Sequence, residues 1–165
     1  MTKQAPPSFY RLPPSIPADA WHELLRALLE GEEWFGLVWR DRFEPSGKAR
    51  ATGLALSRLK IEKSRADRWP GTRLSDSLAT VIRYRASMEA FPALSTSNSP
   101  YDWCLPDLPE DLFFGSDREG LAFVSVAHEG DAWIVRHRYA KYLGQKVTLE
   151  KERFSARDLA LVLGD

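Results

Sequence analysis

Apolar residues recur at helical spacing in the segment 17–30. Ala20, Leu24, Ala27 and Leu28 fall on one face of a helix. Pro17 suits the first helical position, and Gly31 stands where a left-handed residue ends many helices. The pattern predicts an amphipathic helix.

Two further segments have helical patterns. In 48–59 the predicted apolar stripe consists of Ala51, Leu54, Ala55 and Leu59. In 156–163 the start is marked by Ser155, with Asp158 three residues later, the spacing of a capping box. We predict helices in both segments.

Alternating apolar and polar positions predict strands at 34–43 and 78–85. The segment 60–69 alternates but is rich in charged residues, which favours a strand at the edge of a sheet. It leads into Trp69-Pro70-Gly71-Thr72, a sequence typical of a type II turn, since Pro fixes φ and Gly accepts positive φ.

The segment 121–138 predicts a hairpin with a two-residue turn at Gly130-Asp131. That register pairs Val126 with Val135 and His128 with Trp133. Because side chains alternate along strands, one buried face is predicted. Its members are Ala122, Val124, Val126, Trp133 and Val135.

The order of these elements predicts an α+β fold, a mainly antiparallel sheet with helices packed on one side and a C-terminal hairpin and helix. Residues 1–16 carry four prolines and predict an extended arm outside helix and sheet, pinned by Phe9, Tyr10, Leu12 and Ile16. Residues 17–165 are then expected to form one domain. A long proline-rich loop is predicted over 91–109.

Composition narrows the functional classes. The chain has 165 residues and a formal net charge of zero, which argues against a dedicated nucleic-acid binder. The single cysteine, Cys104, excludes an internal disulfide and a multi-cysteine metal site. No apolar leader and no run of about 18 apolar residues is found. We therefore expect a cytoplasmic protein without membrane contact.

Catalytic patterns are weak. The sequence contains no Gly-rich phosphate loop, and Cys104 lies among acidic residues that would suppress its thiolate. His128, Glu129 and His137 offer the alternative of a small hydrolase or metalloenzyme. In the predicted hairpin the two histidines share a face but lie four pairs apart, with no identifiable third ligand. We expect no metal and no cofactor.

Charge is unevenly distributed along the chain. Residues 102–119 hold six acidic residues and one arginine, a formal charge of −5, and 58–73 hold six basic and two acidic residues, a formal charge of +4. We predict that residues 101–119 form an exposed acidic, aromatic loop that binds a basic protein. The binding residues would be Asp102, Trp103, Asp107, Glu110, Asp111, Phe113 and Phe114. The alternative is that these acids pair internally with the basic segment and that the aromatic residues belong to the core.

In general character the chain is similar to bacterial toxin-neutralising immunity proteins, which are short, cysteine-poor, tryptophan-rich α+β proteins with patterned charge. The resemblance is one of class, without a shared motif that would transfer residue roles. It implies a non-enzymatic protein-binding or inhibitory module. The alternatives are the enzyme centred on His128 and a weak nucleic-acid contact through the basic strands.

Overall fold

The computed structural model describes residues 9–165. Its strands are β1 (Phe9–Arg11), β2 (Trp34–Arg40), β3 (Lys60–Ala66), β4 (Arg68–Trp69), β5 (Thr72–Arg73), β6 (Ala79–Arg85), β7 (Glu110–Ser116), β8 (Gly120–Val126), β9 (Asp131–Ile134) and β10 (Glu150–Glu152). Its helices are α1 (Ala18–Gly31), α2 (Gly47–Ala55), α3 (Phe91–Leu94), α4 (Lys141–Gly144) and α5 (Ala156–Leu163).

Eight strands form one antiparallel sheet in the order β10-β1-β9-β8-β7-β2-β6-β3, and β4 and β5 form a separate hairpin. The predicted α+β class with a mainly antiparallel sheet is confirmed. The edge position of β3 is also confirmed, and nearly all of its residues are exposed. Charged side chains there protect an open edge from pairing with other chains.

The main core lies between α1 and one face of the sheet. Trp21, Leu24 and Leu28 of α1 are fully buried in the same cluster as Phe114 and Phe123 of the central strands. Helices α3 and α4 contact α1 and add to this layer. The helical periodicity of 17–30 therefore identified the face of α1 that packs on the sheet.

A second core lies on the other face of the sheet. Val124, Val126 and Trp133 pack there with Val162 of α5. The β4–β5 hairpin joins α5, because the N–H of Gly71 donates to the carbonyl of Leu161 at 2.9 Å. Strand β7 is covered from both sides, and all seven of its residues are buried.

The hairpin of β8 and β9 corrects the predicted register. Val126 pairs with Asp131 rather than with Val135, because a 3-10 turn over Ala127–Glu129 replaces the two-residue turn. The register error is four residues, an even number, so Val124, Val126, Trp133 and Val135 still share a buried face, as predicted.

Ala122 does not belong to that face. It packs in the main core because β8 has one more residue than β7 between two adjacent pairs, Phe114 with Phe123 and Gly115 with Leu121. Such a bulge reverses the direction of the side chains that follow it. The predicted position of Ala122 was therefore wrong.

The N-terminal arm is only partly as predicted. Residues 1–8 lie outside the described residues. Phe9–Arg11 forms β1 between β9 and β10, so the exclusion of sheet from this segment was wrong. The three residues contain no proline and keep the backbone donors that pairing requires. Leu12 and Ile16 are buried, as expected of anchoring residues.

Helix α2 and the segment after α3 also differ from expectation. The predicted stripe of α2 is wrong, because Leu54 is 76% exposed and Leu56, just beyond the helix, is buried instead. The predicted loop 91–109 contains α3 and a 3-10 turn over Pro100–Asp102. By contrast, α5 and its Ser155 cap are confirmed, since Oγ of Ser155 accepts from the N–H of Asp158.

Within residues 9–165, every helix is too short or too polar to cross a lipid bilayer.

Candidate functional site

The aromatic residues of the predicted binding loop lie inside the protein. Trp103 is 0% exposed, and Phe113 and Phe114 are buried on opposite faces of β7. Glu110 and Asp111 are buried as well. The prediction that residues 101–119 form an exposed loop was therefore wrong, because its second half is a central strand.

The remaining acids of this segment have local roles. Asp102 accepts bonds from the backbone N–H groups of Asn98 and Ser99, and Asp107 is exposed. Asp117 pairs with Arg83, and Glu119 pairs with Arg136 and Arg138. In the described part of the chain, the acids of this segment that pair with arginines do so with arginines outside the basic segment 58–73, so the predicted pairing with that segment was wrong. The other part of the alternative, that the aromatic residues belong to the core, is confirmed.

Asp111 is the polar centre of the structure. It is 0% exposed and has a φ of 54°, a left-handed conformation that costs free energy in any residue but glycine. The conformation arises at a bulge, where β7 has one residue more than β2 between the Gly36–Phe113 and Val38–Glu110 pairs. The bulge turns the carboxylate towards the second face of the sheet, where the β4–β5 hairpin packs.

Both oxygens of this carboxylate have two partners each. Oδ2 accepts from Nε1 of Trp69 at 2.8 Å and from Oγ1 of Thr72 at 3.4 Å. Oδ1 accepts from the N–H of Ala127 at 3.0 Å and lies 3.4 Å from Nδ1 of His128. Asp111 therefore joins β7 to the β4–β5 hairpin and to the turn after β8.

Glu110 lies beside this centre and pairs with Arg40 at 3.3 Å. Arg40 is itself only 10% exposed. Burial, and then the negative charge of Asp111, raise the pKa of Glu110 above its ordinary value. The buried Glu110–Arg40 pair therefore places a second carboxylate and a guanidinium next to Asp111.

His128 connects the buried centre with solvent. Its side chain is 27% exposed, and its contact with Asp111 raises the pKa of the imidazole above its ordinary value. Nε2 lies 3.8 Å from a carboxylate oxygen of Glu129. A buried carboxylate at Nδ1 fixes the orientation of the ring and leaves Nε2 for a contact with a ligand.

A cleft of about 710 Å³ opens above His128. It lies between the end of β2, the β4–β5 hairpin, the turn after β8 and helix α5. Its lining residues are Arg40, Arg42, Gly71, Thr72, Arg73, Leu74, His128, Glu129, Arg157, Asp158, Ala160, Leu161 and Asp165. We call this space the His128 cleft.

The predicted trio of His128, Glu129 and His137 is not assembled. His137 lies in the turn after β9, where Nδ1 shares a hydrogen bond with the hydroxyl of Tyr10 at 2.7 Å. The structure instead places two carboxylates beside His128, those of Glu110 and Asp111. Sequence reasoning named both acids as exposed binding residues and missed their proximity to the histidine.

Glu110, Asp111 and His128 each offer one ligand atom within 4.8 Å of the others, a spacing that a metal ion accepts. The donors are nevertheless already engaged. Asp111 accepts three hydrogen bonds and has His128 at 3.4 Å, and Glu110 is paired with a guanidinium that would repel a cation. The chemistry of this set therefore favours a neutralised buried network over a metal centre.

The described lining of the cleft contains few side chains that could act as nucleophiles. Thr72 is the one hydroxyl side chain among its described lining residues, and it donates to Asp111. Burial raises the pKa of the half-buried Cys104 thiol, and nearby carboxylates raise it further. The arrangement can orient a ligand and exchange a proton through His128, but it lacks an activated nucleophile.

One signal in the sequence points to this site. The pair Glu110-Asp111 directly precedes the apolar run Leu112-Phe113-Phe114, and two acids beside such a run have to find buried partners if the run is a central strand. The partner Trp69 lies 42 residues away, so chain proximity gives no indication of it.

Comparison of the chain with models of protein families, with curated proteins and with solved structures gives no match.

Proposed function

We propose that this protein is a binding module and that the His128 cleft is its recognition site. The observation that carries the proposal is a histidine at the wall of a cleft, held from behind by a fully buried carboxylate. Burying a carboxylate costs several kcal/mol unless it is hydrogen-bonded, and the bonds that satisfy Asp111 also fix its position behind the His128 ring.

The size and lining of the cleft support this proposal. Small-ligand sites span roughly 300–1,000 Å³, and a cleft of about 710 Å³ falls in that range. The lining includes apolar Leu74, Ala160 and Leu161 together with charged groups. Such a lining gives contact area together with a few orienting polar contacts.

Binding of a basic toxin, as in the immunity proteins, remains a proposal of ours for the biological role. It no longer depends on the aromatic residues of 101–119, which are buried. Asp102 and Asp107 are the predicted binding residues that stay on the surface. A cytoplasmic location likewise remains a prediction.

The experiment observes the ring signals of His128 by NMR while a set of small polar and charged compounds is added. We expect at least one compound to shift these signals, and its affinity, measured in all proteins from backbone amide shifts, to fall in His128→Gln. The matched control is His137→Gln, which removes a histidine bonded to Tyr10 outside the cleft. If no compound shifts the His128 signals, or if both variants lose affinity equally, the cleft is not the recognition site.

The contact between Asp111 and His128 also favours a second candidate, an enzyme that uses His128 as a general acid. A raised pKa keeps the imidazole protonated nearer to neutral pH, as an acid catalyst requires. Hydrolysis of p-nitrophenyl acetate and p-nitrophenyl phosphate tests it. A rate that His128→Gln abolishes and His137→Gln retains would support this candidate, and equal rates in all three proteins would exclude it for these esters.

A further inference from the structure

We infer that Arg42 and Arg73, which both line the His128 cleft, bind the anionic group of the ligand, a carboxylate or a phosphate. The inference rests on the proposed function and names the chemistry of the ligand. Two observations support it: the distribution of charge around the cleft, and which of the lining arginines are already paired with a carboxylate.

The structural elements around the cleft contribute side chains of different charge. The end of β2, the turn after it and the β4–β5 hairpin contribute Arg40, Arg42 and Arg73 to the lining, and no acid. The turn after β8, helix α5 and the two residues after that helix contribute three acids and two basic residues. These are Glu129, Asp158, Asp165, His128 and Arg157. A ligand therefore meets positive charge on the β2–β5 side and mixed charge on the α5 side.

The three arginines of the β2–β5 side are not equivalent. Arg40 is committed to the buried carboxylate of Glu110. Arg42 and Arg73, in contrast, are exposed, and among residues 9–165 neither has a carboxylate within 4.0 Å. The guanidinium of Arg42 lies 4.9 Å from the ring centre of Phe43, which supports one of its faces.

Free guanidinium groups at a cleft select oxyanions for a geometric reason. The planar group presents its N–H donors in a fork that matches two oxygens of a carboxylate or phosphate. Glu129 and the other acids lie on the α5 side, so a purely anionic ligand that filled the whole cleft would be repelled there. The ligand class is thus a molecule with an oxyanion at one end and hydrogen-bond donors or a cation at the other.

The test is an NMR titration with sodium phosphate and, separately, with sodium acetate at constant ionic strength. The side-chain Nε signals of Arg42 and Arg73 report the contact. The variants Arg42→Gln and Arg73→Gln are compared with Arg118→Gln and Arg153→Gln, which remove exposed arginines outside the cleft. All four variants remove one exposed arginine, so general loss of charge is matched.

We expect each of the first two variants to weaken binding of the preferred anion about tenfold, as loss of one charge-assisted contact does, and the two controls to change it by less than about twofold. The stronger of the two anions identifies the ligand group as phosphate or carboxylate. Equal losses in all four variants, or no shift at Arg42 and Arg73 with either anion, would overturn the inference. Failure of the proposed function has another signature, the absence of any response at the His128 ring to the compound set.

Discussion

Nδ1 of His128 lies 3.4 Å from Oδ1 of Asp111, so a partly exposed ring contacts a carboxylate that solvent does not reach. The same carboxylate receives Nε1 of Trp69 and the N–H of Ala127. The Asp111 side chain therefore fixes two parts of the cleft wall, the β4–β5 hairpin and the turn after β8, relative to each other. The stability of the hairpin and the orientation of the histidine are expected to change together when Asp111 is altered.

Replacing Asp111 with Ala should lower the free energy of unfolding by about 3–5 kcal/mol, because it leaves buried donors such as Nε1 of Trp69 without an acceptor. Urea unfolding measures the loss. Asp107→Ala is the matched control, since Asp107 is exposed and should cost less than about 0.5 kcal/mol. Similar losses in the two variants would contradict the central role of Asp111.

Stability should depend on pH through His128. Its pKa is raised in the folded protein, so its contribution is fully present below the unfolded pKa and is lost as pH rises through the folded pKa. We expect His128→Gln to destabilise the protein at mildly acidic pH and to do so progressively less at higher pH. Urea unfolding of both proteins across this range measures the difference. A difference that stays constant with pH, or grows as pH rises, would contradict the raised pKa.

The second core should be sensitive to Trp133. Its ring packs edge-on against Phe154 at 5.7 Å, and its Nε1 donates to Glu152 at 2.7 Å. Trp133→Ala should cost about 3–5 kcal/mol in thermal or urea unfolding, as large-to-small core substitutions do. Trp133→Phe retains the aromatic packing and should cost clearly less. A loss below about 1 kcal/mol for the alanine variant would place Trp133 outside a packed core.

The two leucines around the end of α2 give an internal comparison. Leu56→Ala should cost about 2–5 kcal/mol because Leu56 is fully buried. Leu54→Ala should change stability by less than about 0.5 kcal/mol, since its side chain lies largely in solvent. A larger loss of stability for Leu54→Ala than for Leu56→Ala in urea unfolding would instead support the apolar stripe predicted from the sequence.

The sequence pattern predicted correctly those elements whose formation depends on interactions between residues close together in the chain. Helix α1, helix α5 with its Ser155 cap and the Pro70-Gly71 turn depend on spacing, caps and permitted φ, which short segments encode. The shared face of Val126 and Val135 survived a wrong register because an even shift keeps side chains on the same face.

The candidate site could not be predicted from short sequence patterns. Strand β7 is buried on both faces and shows no alternation, and it begins with two acids that resemble a surface loop. Their burial is permitted by Arg40, Trp69 and Thr72, which come from other parts of the chain. Without those distant partners, Glu110 and Asp111 can only be placed in solvent.

The most direct test of the account is backbone chemical-shift mapping of the wild-type protein with sodium phosphate, sodium acetate and the ligand found through the His128 ring. We predict that the shifted residues lie in the ranges 40–42, 71–74, 128–129 and 157–165, which surround the His128 cleft. Shifts confined to other surfaces, such as the exposed Asp102 and Asp107, or no saturable shift at all, would contradict the assignment of this cleft as the recognition site.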